Sequence, residues 1–383
     1  MNKIYPTDLP SMVEDGFTER WAKIYLQHIE EENNESCFSK DYCEWAHSHG
    51  FFAESASSYG LTENNVGDFL SDYDYYKVWP LNSWTRIWIN DKLTLKYMLA
   101  DSPYGDMMPK YYFYSTPTGL KRLLDAPQSK NSEFDDFCDI LKTVGAFACK
   151  PCNGTTAIGF FKLSYADSTF YIDNQAISPK ELESIVCQHP NYVFTEYITS
   201  AKYLSKYGEK IHTLRLVTLN TNDTPSIVGT YLRFPNKNNG DANFSCLTAK
   251  NIDNFNLCAE FDSQTGFFGN AKKIFFNRIE TANTHPDTGE LIGGCIEQYD
   301  KLYELVLGIA SRFNTIEWMG FDIGVTDNGF KLMEINSHPG IKYMQIFKPF
   351  LKDERLNSYF DRKLSEINNL SQQEKVLRNR IIR

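Results

Sequence analysis

The chain has 383 residues, of which 42% are hydrophobic and 23% are charged, and its formal net charge is −10. This length supports two or three packed domains or lobes, and the composition excludes extended disorder. Residues 1–80 carry 5 basic and 15 acidic side chains, so the whole acidic excess lies there. Only residues 362–383 lean basic, whereas a nucleic-acid-binding protein usually carries a basic stripe. Nucleic acid is therefore excluded as the main partner.

The composition also bears on the cellular compartment. No run of 18 apolar residues is present, so no membrane span is predicted. The first residues, MNKIYPTDLPSMVEDG, lack the apolar segment of a secretory leader. Nine cysteines, an odd number scattered along the chain, fit a reducing environment in which thiols stay free. We therefore expect a cytoplasmic protein.

Residues 1–85 are predicted to form an acidic, mainly helical N-terminal region. Its clearest helix is FTERWAKIYLQHIEEE, and it ends in the aromatic segment YDYYKVWPLN, which is typical of a buried core. From residue 130 onward, helical and strand patterns alternate, which indicates an α/β or α+β fold. Residues 236–295 have few regular patterns and are predicted to be rich in loops, with a turn region at HPDTGELIGG.

The alternating part begins with the amphipathic helix EFDDFCDILKTV, followed by the strands AFACK, GFFKL and STFYID. The next helix, SPKELESIVCQ, starts with a capping box in which Ser178 is the N-cap, Pro179 the first residue and Glu181 the third. The segments NYVFTEYI, IHTLRLVTL and SIVGTYLRF read as strands, and QYDKLYELVLGIASRF reads as a helix.

The segment WMGFDIGVTDNGFKLMEIN, residues 318–336, is predicted to be a hairpin. If its loop is 327–329 with Gly329 left-handed, position 326 lies opposite 330 and Asp322 lies opposite Glu334. Asn336, two residues further on, shares their face. Two carboxylates and an amide oxygen suit a hard cation such as Mg²⁺.

The alternative for this hairpin is that its charges simply face water. Its apolar neighbours weigh against this alternative, because they leave little of the hairpin to be solvated; they are Phe321, Ile323, Leu332, Met333 and Ile335.

The segment FACKPCNGTTAIGFFKL, residues 147–163, has two interpretations. Cys149 and Cys152 form a C-x-x-C pair, the spacing of a redox or zinc site. Lys150, followed by a loop of small residues, has the features of a phosphate grip. A redox pair is expected at a strand-to-helix turn, and no second pair at zinc spacing is present. We therefore predict structural thiols beside a functional lysine.

These motifs resemble those of ATP-grasp enzymes and follow one another in the same order. The order is FACKP, NGTTAIGF, VFTEYI, IHTLRLVTL and GFDIGV with FKLMEIN. HPDTGELIGG together with residues 318–340 looks most like the branch associated with sugar transfer and surface polysaccharide loci. The resemblance covers roughly residues 85–345. It implies two lobes clasping a nucleotide, with an N-terminal lobe at 86–198, a catalytic lobe at 199–350 and a helical tail at 351–383.

The resemblance also implies site residues, ATP and Mg²⁺ as cofactors, and small-molecule partners. The residues implied to contact the nucleotide form three groups. They are the lysines Lys92 and Lys150, the flap 153–159 with Gly154, Thr155, Thr156 and Gly159, and the adenine hinge Glu196, Tyr197 and Ile198. The implied Mg²⁺ ligands are Asp322, Glu334 and Asn336. The residues implied to contact the transferring phosphate are Arg215 and Arg233, and those implied to contact the acceptor are Lys342 and His338. The chain departs from the family pattern in Thr155-Thr156-Ala157, where relatives are richer in glycine, and in GDANFSCL, which lacks a Gly-Gly pair.

The implied reaction is an ATP-dependent ligation in which a carboxylate becomes an acyl phosphate and is captured by an amine or sugar acceptor. Two alternatives stay open. One is a phosphotransferase that phosphorylates an amide, a hydroxyl or a sugar without ligation. The other is a non-catalytic nucleotide-binding scaffold whose acidic N-terminal region docks a polysaccharide-assembly partner.

Overall fold

The structure, a computed structural model, describes residues 4–35, 37–153, 158–238, 247 and 250–379. Its helices are α1 Leu9–Asp15, α2 Glu19–Asn34, α3 Lys40–Ser48, α4 Ala53–Tyr59, α5 Asp72–Lys77, α6 Ile87–Asn90, α7 Lys92–Ala100, α8 Glu133–Val144, α9 Pro179–Gln188, α10 Tyr299–Arg312, α11 Lys342–Gln345, α12 Glu354–Asn368 and α13 Gln372–Arg378. Its strands are β1 Tyr111–Thr116, β2 Gly119–Arg122, β3 Ala146–Pro151, β4 Phe161–Ala166, β5 Thr169–Ile172, β6 Gln175–Ile177, β7 Tyr192–Glu196, β8 Thr213–Thr221, β9 Thr224–Phe234, β10 Phe255–Phe261, β11 Phe267–Phe275, β12 Ile279–Thr281, β13 Gly294–Cys295, β14 Trp318–Thr326 and β15 Gly329–Asn336. No described helix is long and apolar enough to cross a membrane.

The strands form two sheets that follow a helical N-terminal region. The first sheet has the order β2-β1-β7-β3-β4-β5-β6, and the second has the order β12-β11-β10-β9-β8-β14-β15, with β13 paired to β11. All the strand pairs are antiparallel. Mixed helix and sheet after a helical start is the architecture that the sequence predicts.

Most of the predicted elements are confirmed. Helix α8 spans the predicted residues, and α9 carries the predicted capping box between Ser178 and Glu181. Two predictions about extent are wrong. The strands begin at Tyr111, earlier than residue 130, and 255–281 is a set of paired strands rather than a loop-rich stretch. Strand β10 owes its place to pairing with β9, a partner distant in sequence, which local patterns do not reveal.

The second sheet is covered on both faces. Leu216, Phe321 and other alternate residues pack with α7 and α10, whereas Val217 and Leu219 pack on the other face with the N-terminal region and α12. Because strand residues alternate between faces, Arg215 lies on the same face as Val217. The N-terminal region therefore covers the face that carries Arg215.

Side chains of the N-terminal region also hold the β14–β15 hairpin. The Asn82 amide donates to the carbonyl of Trp318 at 2.7 Å and accepts the Trp318 backbone N–H at 3.3 Å. The Tyr75 hydroxyl donates to the carbonyl of Pro339 at 2.5 Å, just beyond the end of β15. Both ends of the hairpin are thus fixed by residues that precede the first strand.

Glu32 organises the N-terminal region from within. It is 2% exposed, and its carboxylate accepts the backbone N–H groups of Ala53 and Glu54, each at 2.8 Å. The N-cap residue of α4, Phe52, offers no side-chain cap, so Glu32 satisfies the unpaired donors at that helix start. His47 Nε2 lies 3.0 Å from the same carboxylate. Glu32 therefore fixes where Glu54 is placed.

We predict that Glu32→Ala lowers the free energy of unfolding by about 2–4 kcal/mol, because buried N–H groups lose a charged acceptor. Urea unfolding followed by tryptophan fluorescence measures the change. Glu30→Ala is the matched control, since Glu30 is exposed on the same helix, and it should change stability by less than about 0.5 kcal/mol. Equal unfolding midpoints for the two variants would contradict the assignment.

Candidate functional site

A row of polar side chains crosses four adjacent strands of the second sheet. Glu334 on β15 lies opposite Asp322 on β14, Asp322 lies opposite Arg215 on β8, and Arg215 lies opposite Tyr231 on β9. Cross-strand partners share a face, so the four side chains stand side by side. Rigid sheet pairing therefore fixes the spacing of the carboxylates and the guanidinium.

The predicted pairing of Asp322 with Glu334 is confirmed, but the predicted loop is wrong. Thr326 lies opposite Gly329 rather than Phe330, so the turn is one residue shorter than expected. A β-bulge compensates for this, because Ile323 pairs with Leu332 while Asp322 pairs with Glu334, which leaves Met333 as the extra residue.

The bulge also explains how the hairpin serves both a core and a site. Leu332 and Ile335 are buried in the core beneath the sheet, although an unbroken strand would place them on opposite faces. Glu334 and Asn336 consequently share the face of Asp322. Phe321 and Ile323 are also buried, so the alternative of a solvated hairpin does not hold.

Asp322 forms a buried ion pair with Arg215. The guanidinium donates through Nε to Oδ1 at 2.5 Å and through Nη2 to Oδ2 at 2.9 Å. Asp322 is 1% exposed and Arg215 is 8% exposed. Burial raises the pKa of Asp322 to about 6, and nearby Glu334 adds to the rise, while Arg215 opposes it.

Glu334 has the opposite behaviour. Burial acts to raise its pKa, but Lys92, whose Nζ lies 3.9 Å from Oε2, and a hydrogen bond from Asn336 lower the pKa overall. The Asn336 amide donates to Asp322 Oδ2 at 3.1 Å and to Glu334 Oε1 at 3.3 Å. Of the two facing carboxyls, Glu334 is therefore the one that more readily stays ionised.

This donor set fits a hard divalent cation. Two carboxylates face each other across the hairpin, and a cation between them would remove the repulsion that raises the pKa of Asp322. The described residues contain no group of three or more His, Cys, Asp or Glu side chains placed to hold a metal. Asn336, whose amide group contacts both carboxylates, adds an amide oxygen to the set, and Mg²⁺ accepts such oxygen ligands alongside water and phosphate.

Two lysines from separate segments meet at this row. Lys92 begins α7, and its backbone N–H donates to the carbonyl of Cys152 at 3.2 Å. Lys150 lies near the end of β3, where burial and then the charge of Lys92 lower its pKa to about 8. Two neighbouring cations, Lys92 buried and Lys150 half-buried, attract an anionic group such as phosphate.

The two cysteines of the C-x-x-C pair lie in different environments. Cys149 is packed in the core of the first sheet, whereas Cys152 belongs to the core that includes α7. Burial raises the pKa of Cys149 well above its usual value and that of Cys152 to about 11. Because only thiolates are good nucleophiles and metal ligands, this setting favours structural thiols.

The predicted hinge lies where the chain leaves the first sheet. Glu196 ends β7, and its carboxylate lies 3.6 Å from Lys331 Nζ. The Nζ of Lys162 lies 4.5 Å from the ring centroid of Tyr197. Sequence reasoning did not single out Lys162 and Lys331, although both stand within the motifs GFFKL and GFKLMEIN.

Only part of the predicted flap can be located. Gly154, Thr155 and Thr156 lie outside the described residues, and so does most of GDANFSCL. Gly159 is described, with a φ of +80°, and a Cβ there would lie 2.5 Å from the Tyr192 hydroxyl oxygen. A residue with a side chain is strained at this point of the loop.

Arg233 and Lys342 lie beside Arg215 in a cavity of about 560 Å³. The Arg233 guanidinium lies 5.3 Å from the ring centroid of Tyr343. Lys342 Nζ lies 3.0 Å from Oε2 of Glu54, which comes from the N-terminal region. Sequence reasoning missed Glu54 entirely, since no local pattern marks it.

His338, predicted beside the acceptor, lies elsewhere. Its ring centroid is 3.3 Å from that of Trp79 and 5.1 Å from that of Trp21. Burial lowers its pKa to about 2, so the ring is neutral. The position next to the metal hairpin in sequence is misleading here, because the chain turns into the aromatic core after Ser337.

The family model for sugar-transfer associated ATP-grasp proteins matches residues 88–357. The chain belongs to this family, which confirms the resemblance found in its motifs. No curated protein matches the chain.

The chain is also similar to solved ligase structures. D-alanine–D-alanine ligase from Bacillus anthracis is 14% identical, with 76% of this chain and 69% of that chain covered and a TM-score of 0.35. D-alanyl-alanine synthetase A from Vibrio cholerae is 14% identical, with 77% and 67% covered and a TM-score of 0.39. L-amino acid ligase from Bacillus licheniformis is 12% identical, with 72% and 44% covered and a TM-score of 0.34. These structures are distant, and the family assignment stands on the family model.

We predict that Lys150→Ala weakens binding of Mg²⁺-ATP by about tenfold or more, because the substitution removes a half-buried cation that we expect to contact the phosphates. Replacing Cys149 and Cys152 together by Ala should change the dissociation constant by less than about twofold. Isothermal titration calorimetry measures both constants. A large loss of binding in the double cysteine variant, with its circular dichroism spectrum unchanged, would restore the redox or zinc interpretation.

Proposed function

We propose that the protein is an ATP- and Mg²⁺-dependent ligase that activates a carboxylate as an acyl phosphate for attack by an amine. The observation that carries the proposal is the row Glu334, Asp322 and Arg215, which faces Lys92 and Lys150. Oxygen ligands, a guanidinium and two lysines within one site are the groups that phosphoryl transfer requires. Family membership supports the same chemistry.

In this proposal the nucleotide spans the space between the hinge and the charged row. Residues 196–198 contact the adenine through their backbone, while Lys92 and Lys150 bind the phosphates. Asp322, Glu334 and Asn336 hold Mg²⁺, which supplies charge neutralisation on the phosphate oxygens when bound. Gly159 ends the flap that covers the phosphates, together with Gly154, Thr155 and Thr156.

The transfer step needs no covalent intermediate on the protein. A carboxylate oxygen of the substrate attacks the γ-phosphorus, the bond to the bridging oxygen breaks, and ADP leaves. The amine then attacks the acyl carbon, loses a proton and expels inorganic phosphate. The raised pKa values of Cys149 and Cys152 fit this scheme, because neither thiol is a nucleophile.

Arg215 is the catalytic residue that we place at the transferring phosphate. Within the described residues, Asp322 accepts hydrogen bonds from Nε and Nη2 of its guanidinium. The ion pair therefore orients the guanidinium before substrate binds, and a fixed cation stabilises developing charge without reorganising. Arg233 and Lys342 are the further basic groups that we place on the substrate side.

The biological setting that we propose is surface polysaccharide or sugar modification. The support for this setting is the description of the family, which names sugar transfer. A carboxylate of a sugar acid or amino acid and an amine or amino sugar are the corresponding substrates. The cytoplasm, where ATP is available, is the compartment that we propose.

We predict that Glu334→Gln lowers ATP turnover by about two orders of magnitude or more while the melting temperature stays within a few degrees. The substitution keeps the shape of the side chain but removes the more readily ionised carboxylate of the pair. Coupled ADP release and differential scanning fluorimetry measure the two quantities. Glu183→Gln, an exposed position on α9, is the control for the substitution itself. A folded Glu334→Gln protein with full turnover would rule out the metal assignment.

We also predict that hydroxylamine, added with ATP and the true carboxylate substrate, traps a hydroxamate. The amine site accepts this small nucleophile once the acyl phosphate has formed. Mass spectrometry identifies the product, and omission of ATP is the control. ADP release with a stable phosphorylated product and no hydroxamate would make the protein a phosphotransferase, whereas ATP binding without ADP release would make it a scaffold.

A further inference from the structure

We infer that the carboxylate substrate also carries a cationic amino group, and that the N-terminal region supplies the acidic wall that binds it. The inference rests on the proposed function and specifies the substrate class. Its basis is the 560 Å³ cavity beside Arg215, whose charged lining is segregated by sign. The basic residues, Arg215, Arg233, Lys250 and Lys342, come from residues 215–342, whereas the acidic residues come from α2, the residue after it and α4.

The basic side of the cavity is where the carboxylate fits. Arg215 and Arg233 are each 8% exposed, so their charges are held in a poorly solvated setting where an anion is bound strongly. Arg215 belongs both to this cavity and to the row with Asp322 and Glu334. A carboxylate bound here is therefore next to the proposed site of phosphoryl transfer.

Not every acidic residue of the cavity is available to a ligand. Glu54 is engaged by Lys342 and by His28, whose Nε2 lies 3.4 Å away. Burial acts to raise the pKa of Glu54, but Lys342 and His28 lower it to about 2, so it is a permanent anion in an ion-pair network. Glu32 is engaged by the start of α4.

Glu31 and Glu35 remain as the acidic wall. Glu31 lies on the face of α2 that also carries Glu32 and His28, and Glu35 is the residue that follows the last turn of α2; both line the cavity. Neither forms an ion pair within the described residues, although Glu31 accepts a hydrogen bond from Gln27 at 2.9 Å. Two carboxylates that line the cavity without an ion pair to a described residue would repel a second anionic group and attract an ammonium group.

The size and the apolar lining of the cavity set the scale of the ligand. A volume of about 560 Å³ is in the range of cavities that hold drug-sized molecules, and Tyr231, Tyr343 and Phe276 add aromatic surface. Aromatic surface suits a sugar ring or a sizeable side chain. The geometry therefore points to a zwitterion of the amino sugar acid or amino acid class.

The acidic wall belongs to a segment outside the family match, which begins at residue 88. Glu31 and Glu35 thus add a selectivity element of this chain to a site whose phosphate-binding part is matched by the family model. Both residues are specificity determinants rather than catalytic residues, because they lie away from the reacting carboxylate.

The test uses the full chain and two pairs of probes, each differing only by an amino group in place of a hydroxyl. The pairs are alanine with lactate, and 2-amino-2-deoxyglucuronic acid with glucuronic acid. Isothermal titration calorimetry in the presence of Mg²⁺-ADP should show at least tenfold tighter binding of the amino member in at least one pair. The variant Glu31→Gln/Glu35→Gln should abolish this preference and leave binding of the hydroxyl member within about twofold.

Glu30→Gln is the matched control, because Glu30 is exposed on the same helix but does not line the cavity. It should keep the preference, and melting temperatures of all variants should agree within a few degrees. The inference is overturned if neither pair shows a preference for the amino member, if none of the four probes binds, or if the preference survives in the double variant.

Probe binding and hydroxamate formation are measured in separate experiments. The acidic wall and the ligase reaction can therefore be rejected independently of each other. A preference for the amino member that depends on Glu31 and Glu35 supports the acidic wall even when no hydroxamate is formed, in which case only the ligase reaction is rejected. Hydroxamate formation with equal use of both members of each pair would confirm the ligase reaction and reject the acidic wall.

Discussion

The buried ion pair between Arg215 and Asp322 is the interaction on which the site depends. Two charges taken out of water are costly unless their geometry is good and their remaining hydrogen bonds are satisfied. Here the guanidinium makes two parallel contacts, and Asn336 donates to the second carboxylate oxygen. Because the partners stand on neighbouring strands, the same contacts hold β8 against β14 and fix the distance from Arg215 to the carboxylates.

The consequence is a site whose charges are arranged before any ligand arrives. Lys92 holds Glu334 ionised, burial and the nearby charge of Lys92 lower the pKa of Lys150, and burial raises the pKa of Asp322 although Arg215 opposes the rise. An incoming cation and an incoming phosphate would each relieve one of these unfavourable contacts, between carboxylates or between lysines. The arrangement of charges that the sheet fixes is therefore suited to bind both a cation and an anionic phosphate.

The contacts of the acidic N-terminal region differ from those expected of a docking surface. From the sequence, its excess of acidic residues suggests a surface that docks a partner. In the structure, however, Glu32 caps a helix, and Glu54 forms an ion pair with Lys342 at the cavity beside Arg215. Tyr75 and Asn82 bind the ends of the β14–β15 hairpin. This region thus packs against the candidate site, and its Glu31 and Glu35 line the same cavity as the arginines.

Local sequence patterns determined the elements with strong local signals, such as the capping box of α9, the amphipathic helix α8 and the hairpin that places Asp322 opposite Glu334. They also determined the family, because its motifs keep their order along the chain. Tertiary structure alone decided the rest. The Met333 bulge follows from the need to bury Leu332 and Ile335 together, β10 is joined to the rest of the sheet by pairing with β9, and Glu54 meets Lys342 across 288 residues of sequence. Local periodicity carries no information about such pairings, since they exist only when distant segments share one core.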